Sequence, residues 1–193
     1  LMDGFRQGWF FADSDAHKWL DAAARILRTH DIPALRERVE SFISLLEAAQ
    51  AEDGYLFTYN QMHFPGQRWI NLQIEHELYC HGHLIEAGVS HYEATGSERL
   101  LMVACKAADR IVSDFLGKGP RHTPGHEEIE IALLRLYQVT RQASYLEMAG
   151  QFLNQRGRDP LFGVSVIRQF LSVGRRTQTV ATQRVDFANQ HQM

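Results

Sequence analysis

The chain has 193 residues, 45% of them hydrophobic and 22% charged, so it is long enough to bury one sizeable core and lacks the composition of a disordered protein. Twenty basic against 23 acidic residues give a formal charge of -3, which argues against binding to nucleic acid or to an anionic membrane surface. No run approaches the ~20 apolar residues of a transmembrane helix, and the first residues do not form a signal-peptide pattern.

The two cysteines indicate a reducing environment. Cys80 and Cys105 lie 25 residues apart and form no CxxC pair, which favours buried thiols over a disulfide scaffold. We therefore expect a soluble, cytoplasmic protein. The chain begins at Leu1 without a start signal and ends at Met193 without a helix stop signal, so we also expect it to be part of a longer protein.

Apolar residues at three- and four-residue spacing predict six helices before residue 157. Ser14 is the predicted N-cap of the first helix, and Pro33 suits the first turn of the second. Residues 53–72 have no helical period, and Tyr55, Tyr59 and Trp69 within them either stack on a sugar ring or cover the core. Residues 158–193 form a tail that we cannot place. The predicted helices cover residues 15–29, 34–50, 75–91, 98–115, 127–139 and 144–155.

An internal repeat organises these helices into pairs. The pattern Tyr-x-x-Thr-x5-Leu of residues 92–101 recurs in residues 137–146, an offset of 45 residues. Such a repeat predicts an all-α array of stacked helical hairpins. The first helix of each pair is the less charged, as expected for the inner helices of an (α/α)6 barrel. We predict that residues 1–157 form about half of such a barrel, as three hairpins.

Stacking in register would bring the starts of the three inner helices to one rim. These starts are residues 13–15, 75–77 and 126–128, which supply carboxylates and imidazoles where helix N-termini offer free amide groups. The sequence therefore predicts a polar pocket at this rim. Ordinary helix capping is the alternative interpretation for the acidic residues.

A zinc site on the third helix is a weaker alternative. His76, Cys80 and His83 share one helix face at i, i+4 and i+7, an acceptable ligand geometry. The metalloprotease signature His-Glu-x-x-His is absent, because Cys80 stands where the second histidine would be. A buried thiol beside hydrogen-bonded histidines is the more common arrangement. Nothing resembles a phosphate-binding loop or a Gly-x-Ser-x-Gly elbow, so nucleotide chemistry and serine hydrolysis lack support.

Five sequence blocks follow one another in order: FADSDxxKWL (11–20), DGYL (53–56), HELYCxGHLIEA (76–87), HYEATG (91–96) and GHxEIE (125–130). Together they resemble the β-L-arabinofuranosidases of glycoside hydrolase family 127, over about residues 5–157. The resemblance implies an (α/α)6 barrel followed by β-domains in a much longer chain. It also implies a retaining hydrolase of terminal β-L-arabinofuranosides that uses a zinc-held cysteine nucleophile and a glutamate acid/base.

By the same resemblance, His76 and His126 are substrate-binding histidines at the barrel mouth. Asp15 is a neighbouring candidate, and His191 corresponds to another such histidine. The family's nucleophile, acid/base and zinc ligands lie further along the chain, so we expect no catalytic residue and no bound metal in this fragment. The implied partner is an oligosaccharide or glycoside containing L-arabinofuranose, with a homodimer as a candidate assembly.

Two other functions fit the residues alone. The first is a helical-repeat binding or scaffold module whose rim histidines recognise a partner. The second is an α/α-toroid sugar epimerase or lyase that uses His76 and His126 as general acid and base. As half of a barrel, the isolated chain should expose an apolar seam where the missing hairpins would pack.

Overall fold

The computed structural model describes residues 8–190, apart from the side chains of Val185 and residues 187–190. Within this range there are helices and connections but no strand, which confirms the all-α prediction for the described residues. A short 3-10 turn, Pro120–His122, precedes the sixth α-helix. The α-helices are α1 (Asp13–Leu27), α2 (Pro33–Ala49), α3 (Thr58–His63), α4 (Glu77–Thr95), α5 (Arg99–Phe115), α6 (Ile129–Thr140), α7 (Ala143–Gln155) and α8 (Phe162–Gln190).

The hairpins form two layers around α4. This helix packs against α1, α5 and α6, so α1, α4 and α6 lie side by side as an inner layer. Helices α2, α5 and α7 form the outer layer, each against its hairpin partner. The three predicted hairpins are therefore confirmed. Gly88 allows close packing of α4 on α5, since a Cβ there would lie 2.6 Å from the Cβ of Ala104.

The apolar core lies between the layers in two clusters. One joins the first two hairpins, and the other joins the second and third. Because α4 contributes to both clusters, its apolar residues do not form a single stripe. Representative fully buried side chains are Leu20, Ile43, Leu84 and Leu100 in the first cluster and Ile85, Ile111, Leu133, Met148 and Phe152 in the second.

One side of α4 is polar and faces charged residues of both neighbouring inner helices. Arg135 of α6 donates to the Glu86 carboxylate at 2.7 Å and to the Ser90 hydroxyl at 3.2 Å. Ser90 in turn donates to Asp21 of α1 at 2.5 Å. Polar side chains therefore run from the start of α4 along its length. The members of this stripe on α4 are Tyr79, His83, Glu86, Ser90 and Glu93.

The start of α1 differs from the prediction. The helix begins at Asp13, and Ser14 is buried inside its first turn, so the assignment of Ser14 as N-cap is wrong. The Asp13 carboxylate accepts hydrogen bonds from the backbone N–H and the hydroxyl of Thr58, each at 2.6 Å. Asp13 thus binds the start of α3 instead of capping its own helix. The connection predicted to lack structure contains α3.

The unplaced tail is the long helix α8. It lies across α3 and the loop that follows, where Gln183 meets His63 Nδ1 at 2.9 Å and Gln169 accepts from the Gln73 N–H at 2.8 Å. Most of its surface is exposed. The exposed surface includes an apolar stripe whose side chains are each at least 60% exposed: Val164, Ile167, Phe170 and Leu171.

None of the described helices has the length and apolarity required to cross a bilayer.

Candidate functional site

His76 immediately precedes α4 in a left-handed backbone conformation, with φ 61° and ψ 27°. Its Nδ1 hydrogen-bonds to the carbonyl oxygen of Ile74, and because a carbonyl only accepts, the ring proton lies on Nδ1. Burial lowers the pKa of His76, and the nearby His126 and Lys18 act in the same direction against the bond to Ile74. His76 is therefore a neutral imidazole whose Nε2 can accept a hydrogen bond.

The loop before α6 brings His126 to His76, with ring centroids 5.6 Å apart. Two glycines make this approach possible. A Cβ on Gly125 would lie 2.6 Å from the Cα of Gln73, and one on Gly82 would lie 2.6 Å from Glu128 Cγ. The loop therefore rests directly on the backbone beside α4.

Tyr79 lies between the histidines, one turn into α4. Its ring centroid is 4.6 Å from that of His126 and 5.6 Å from that of His76. Lys18 of α1 places its Nζ 4.9 Å from the centre of the Tyr79 ring. We call His76, Tyr79, His126, His83 and Lys18 the rim cluster. It combines hydrogen-bonding groups with one aromatic face.

Two aromatic side chains cover the other side of His76. The Phe10 and Phe11 rings lie with their centroids 6.0 and 5.5 Å from the imidazole. Sugars present hydroxyl groups at their edges and C–H groups on their faces. A site with imidazoles beside phenyl rings can contact both, as small-molecule sites commonly do.

His83 of the rim cluster lies close to a partly buried carboxyl group, with its Nδ1 3.0 Å from Glu128 Oε1. Burial raises the pKa of Glu128 to about 7, and the neighbouring Glu86 adds to this effect. Burial also lowers the pKa of His83 to about 4. The carboxyl therefore keeps its proton into the neutral range, and the pair can hold or release one proton close to the cluster.

Two of the four residues predicted from the sequence to bind substrate come together in the structure. His76 and His126 come together as expected. Asp15 is exposed, and its carboxylate lies 3.8 Å from Lys18 Nζ, so it reaches the rim cluster only through Lys18. His191 lies outside the described residues. The substrate-binding role of all four residues stays a prediction.

Other rim residues were not predicted from the sequence. Tyr79 follows His76 by three positions, and this helical spacing is the signal that would have identified it. Lys18 has no comparable signal. Tyr55 and Tyr59, suggested above as sugar platforms, are buried, and Trp69 donates its Nε1–H to Asp114 at 2.7 Å. These three residues cover the core.

The described residues do not fit a zinc ion. No group of three His, Cys, Asp or Glu side chains within residues 8–190 could hold a metal. Cys80 is fully buried, with its Sγ 3.7 Å from the Phe11 carbonyl oxygen. Cys105 lies on the outer helix α5. The site suggested for His76, Cys80 and His83 is therefore not formed.

Comparison with known proteins identifies the family. Residues 2–193 match the family described as "Beta-L-arabinofuranosidase, GH127 catalytic domain". The chain belongs to this family. A non-reducing end β-L-arabinofuranosidase of Bifidobacterium longum subsp. longum is 38% identical over 170 residues, which are 83% of this chain and 25% of that protein. The GH127 match favours the hydrolase interpretation over the scaffold and the epimerase or lyase interpretations.

Solved GH127 structures have the same fold over this region. A GH127 β-L-arabinofuranosidase from Geobacillus stearothermophilus T6 matches with a TM-score of 0.80 and 44% identity, over 89% of this chain and 27% of its own. A second GH127 β-arabinofuranosidase matches with a TM-score of 0.72 and 34% identity, over 80% and 26% of the two chains. The chain thus spans about a quarter of the length of these relatives.

Proposed function

We propose that the whole protein is a retaining glycosidase that releases terminal β-L-arabinofuranosyl units, and that this chain supplies part of its sugar-binding site. The observation that carries the proposal is that the imidazole rings of His76 and His126 lie side by side, with their centroids 5.6 Å apart, in a chain that belongs to the GH127 family. The substrate would be an oligosaccharide or glycoside that contains L-arabinofuranose, the sugar for which the relatives are named.

The residues suit recognition of a neutral sugar. His76 Nε2 would accept a hydrogen bond from one sugar hydroxyl, and His126 would bind a second. Phe10 and Phe11 would pack against the C–H face of the ring, and Lys18 would supply a donor at the edge. A polar site of this kind rejects analogues that lack the matching hydroxyl, because its own polar groups would then be left without partners.

The reacting groups would come from outside this chain. Retaining hydrolysis needs a nucleophile and an acid/base about 5–5.5 Å apart across the scissile bond. Zinc, when bound, would hold a cysteine nucleophile as a thiolate at neutral pH. Since residues 8–190 do not fit zinc, the ligands would lie elsewhere in the protein. Closure of the hairpins into an (α/α)6 barrel, with the polar stripe of α4 inside, belongs to the same proposal.

Asp15 and His191 are assigned a supporting role at the barrel mouth. Asp15 would act through Lys18, whose ammonium lies 3.8 Å away. His191 would add a further imidazole. The homodimer and the cytoplasmic location stay predictions from the sequence.

The test is hydrolysis of an aryl β-L-arabinofuranoside by the whole protein and by its His76→Ala and His126→Ala variants. We expect each variant to raise KM at least about tenfold, since each loses a hydrogen bond to the substrate. His122→Ala, an exposed histidine in the same loop as His126, is the matched control and should behave as the wild type. Absence of furanosidase activity in the whole protein would refute the assigned reaction, and unchanged kinetics of both variants would refute the assigned site.

A further inference from the structure

The carboxylates on both sides of His76 are buried, although neighbouring glutamates at a helix start are usually solvated. Glu75 and Glu77 are both 0% exposed. Glu77 accepts hydrogen bonds from the Tyr55 hydroxyl at 2.5 Å and from the Trp69 N–H at 2.8 Å. The backbone of His76 is therefore held between two anchored side chains.

The partner of Glu75 comes from α8, about 100 residues further along the chain. Arg176 Nε lies 2.7 Å from Glu75 Oε1, and Arg176 is only 6% exposed. Its other nitrogens donate to Asn60 Oδ1 and, at 3.0 Å, to Gln67 Oε1. The guanidinium also stacks 3.8 Å from the centre of the Phe64 ring. The contact of Nε with Glu75 is thus an ion pair without hydrogen-bond geometry, whereas the two terminal nitrogens of Arg176 are hydrogen-bonded.

These contacts bear on His76 because its backbone conformation is unfavourable. A side-chain-bearing residue in the left-handed region persists only where its surroundings hold it there. Glu75 supplies that restraint from the N-terminal side: its N–H donates to the Asn71 carbonyl oxygen at 2.9 Å, and its carboxylate meets Arg176. A change at Glu75 would therefore rotate the adjacent His76.

We propose that Arg176 is a positioning residue for His76: by pairing with the buried carboxylate of Glu75, the preceding residue, it keeps the His76 imidazole on the Ile74 carbonyl and against His126. A purely structural role, in which Arg176 attaches α8 to the loop after α3, is the competing explanation. The two differ in whether His76 responds when Arg176 is replaced in a protein that is still folded.

Nitrogen-15 NMR of the 193-residue chain distinguishes them, because it reports the tautomer and the pKa of each histidine without requiring activity. The His76 signals are assigned with His76→Gln. In the wild type we expect the proton on Nδ1 of His76 and a pKa below 6.5. The charged or titratable groups that face this ring are Lys18 of α1, Tyr79 of α4 and His126 of the loop before α6.

In Arg176→Met we expect a mixture of His76 tautomers and a rise of its pKa towards 6.5. His17 lies in α1 and its Nδ1 is 3.0 Å from the Cys80 carbonyl oxygen of α4. Its NMR signals should not change, which would show that the fold persists. Arg176→Lys should restore the wild-type signals in part, since it keeps the charge but not the planar fork. Arg175→Met is the matched control, because Arg175 precedes Arg176 on α8 and is exposed.

Unchanged His76 signals in folded Arg176→Met would overturn the proposal. If Arg176→Met does not fold, Glu75→Gln replaces it, since this variant keeps the shape and weakens the ion pair. A His76 response in Glu75→Gln then supports the proposal, and none contradicts it.

The consequence for catalysis rests on the proposed function and is measured separately. In the whole protein, Arg176→Met should raise KM for the aryl furanoside about tenfold or more, because small displacements of a positioned group weaken binding strongly. Arg175→Met should leave KM unchanged. A whole protein without furanosidase activity refutes the reaction but leaves the NMR result standing. An active Arg176→Met protein with wild-type KM refutes the effect of Arg176 on the site.

Discussion

His76 and His126 meet in one cluster, but the two histidines are held in different ways. His76 is held between two buried carboxyl groups: Glu75 and Glu77 flank it, and both side chains are removed from water. Burial raises the pKa of each of these two glutamates. The conformation of His76 therefore depends on ion pairs and protons.

His126 is held by steric contact. The loop before α6 lies on the backbone of residues 72–73, where the Gly125 N–H donates to the Leu72 carbonyl oxygen at 3.3 Å. Arg156, the residue after α7, supports the loop by donating to the Pro124 carbonyl oxygen at 3.1 Å. Arg156 also approaches the His126 carbonyl oxygen at 3.5 Å and the Glu127 carboxylate at 3.4 Å, and burial raises the pKa of Glu128, two residues further on, to about 7. The two sides therefore differ in what fixes the backbone: two buried carboxyl groups flank His76, whereas Gly125, just before His126, lies directly against the backbone of Gln73.

The largest effect is expected for Glu77→Gln, measured by urea unfolding at pH 5 and pH 8. Burial raises the pKa of Glu77 from 4.5 to about 7 in the folded protein, against the opposing hydrogen bonds from Tyr55 and Trp69. At a pH between these two pKa values, Glu77 has lost its proton in the unfolded chain but keeps it in the folded protein. The free energy of unfolding of the wild type therefore falls by up to about 3 kcal/mol as the pH rises through this range. The side chain of glutamine does not titrate, so the Glu77→Gln variant lacks this pH dependence.

The stability of Glu77→Gln relative to the wild type should therefore improve by up to about 3 kcal/mol from pH 5 to pH 8. A constant offset is expected at every pH, because the amide of glutamine cannot accept from both Tyr55 and the Trp69 N–H. Glu37→Gln on the exposed face of α2 should leave the pH profile unchanged. If the free energy of unfolding changed equally with pH in Glu77→Gln and in the wild type, no titrating group at Glu77 would hold the His76 side.

On the His126 side, Gly125→Ala should change the stability by an amount that does not depend on pH. In Gly125→Ala the new Cβ would overlap the backbone of Gln73, which cannot move as freely as a side chain. We expect a loss of about 2 kcal/mol in the free energy of unfolding, equal at pH 5 and pH 8. Gly119→Ala is the control, because a Cβ there meets nothing within 4 Å and its φ of -79° suits alanine. Similar midpoints for the two variants would contradict the steric explanation.

The sequence predicted the hairpins well and the connections poorly. Every helix of the three hairpins was located within a few residues, because each buries a face against a neighbour and so carries a 3.6-residue period. The turn after α4 is also local, since Gly96 takes the left-handed conformation that ends the helix. Local chemistry and packing agree in these segments.

Arg176 and α8 could not be predicted in this way. Only a narrow side of α8 is buried, and its opposite side exposes apolar residues, so the hydrophobic pattern indicates no single face. The contact of Arg176 with Glu75 joins residues that are about 100 positions apart, and no local pattern encodes it. Similarly, Ser14 has the chemistry of an N-cap, but Asp13 is drawn to Thr58 by tertiary contact.

Gly82→Ala should give the smallest effect and tests how closely α6 must approach α4. Its Cβ would lie 2.6 Å from Glu128 Cγ, which can rotate away, but also 3.2 Å from the backbone nitrogen of Ile129. Alanine in a helix interior contributes about 0.5–1 kcal/mol over glycine, and we expect the crowding at Ile129 to cancel this gain. Gly150→Ala in α7 meets nothing within 4 Å and should show the full gain in urea unfolding. If both variants gain equally, the backbone of α6 yields at this point, and the position of His126 depends on Gly125 instead.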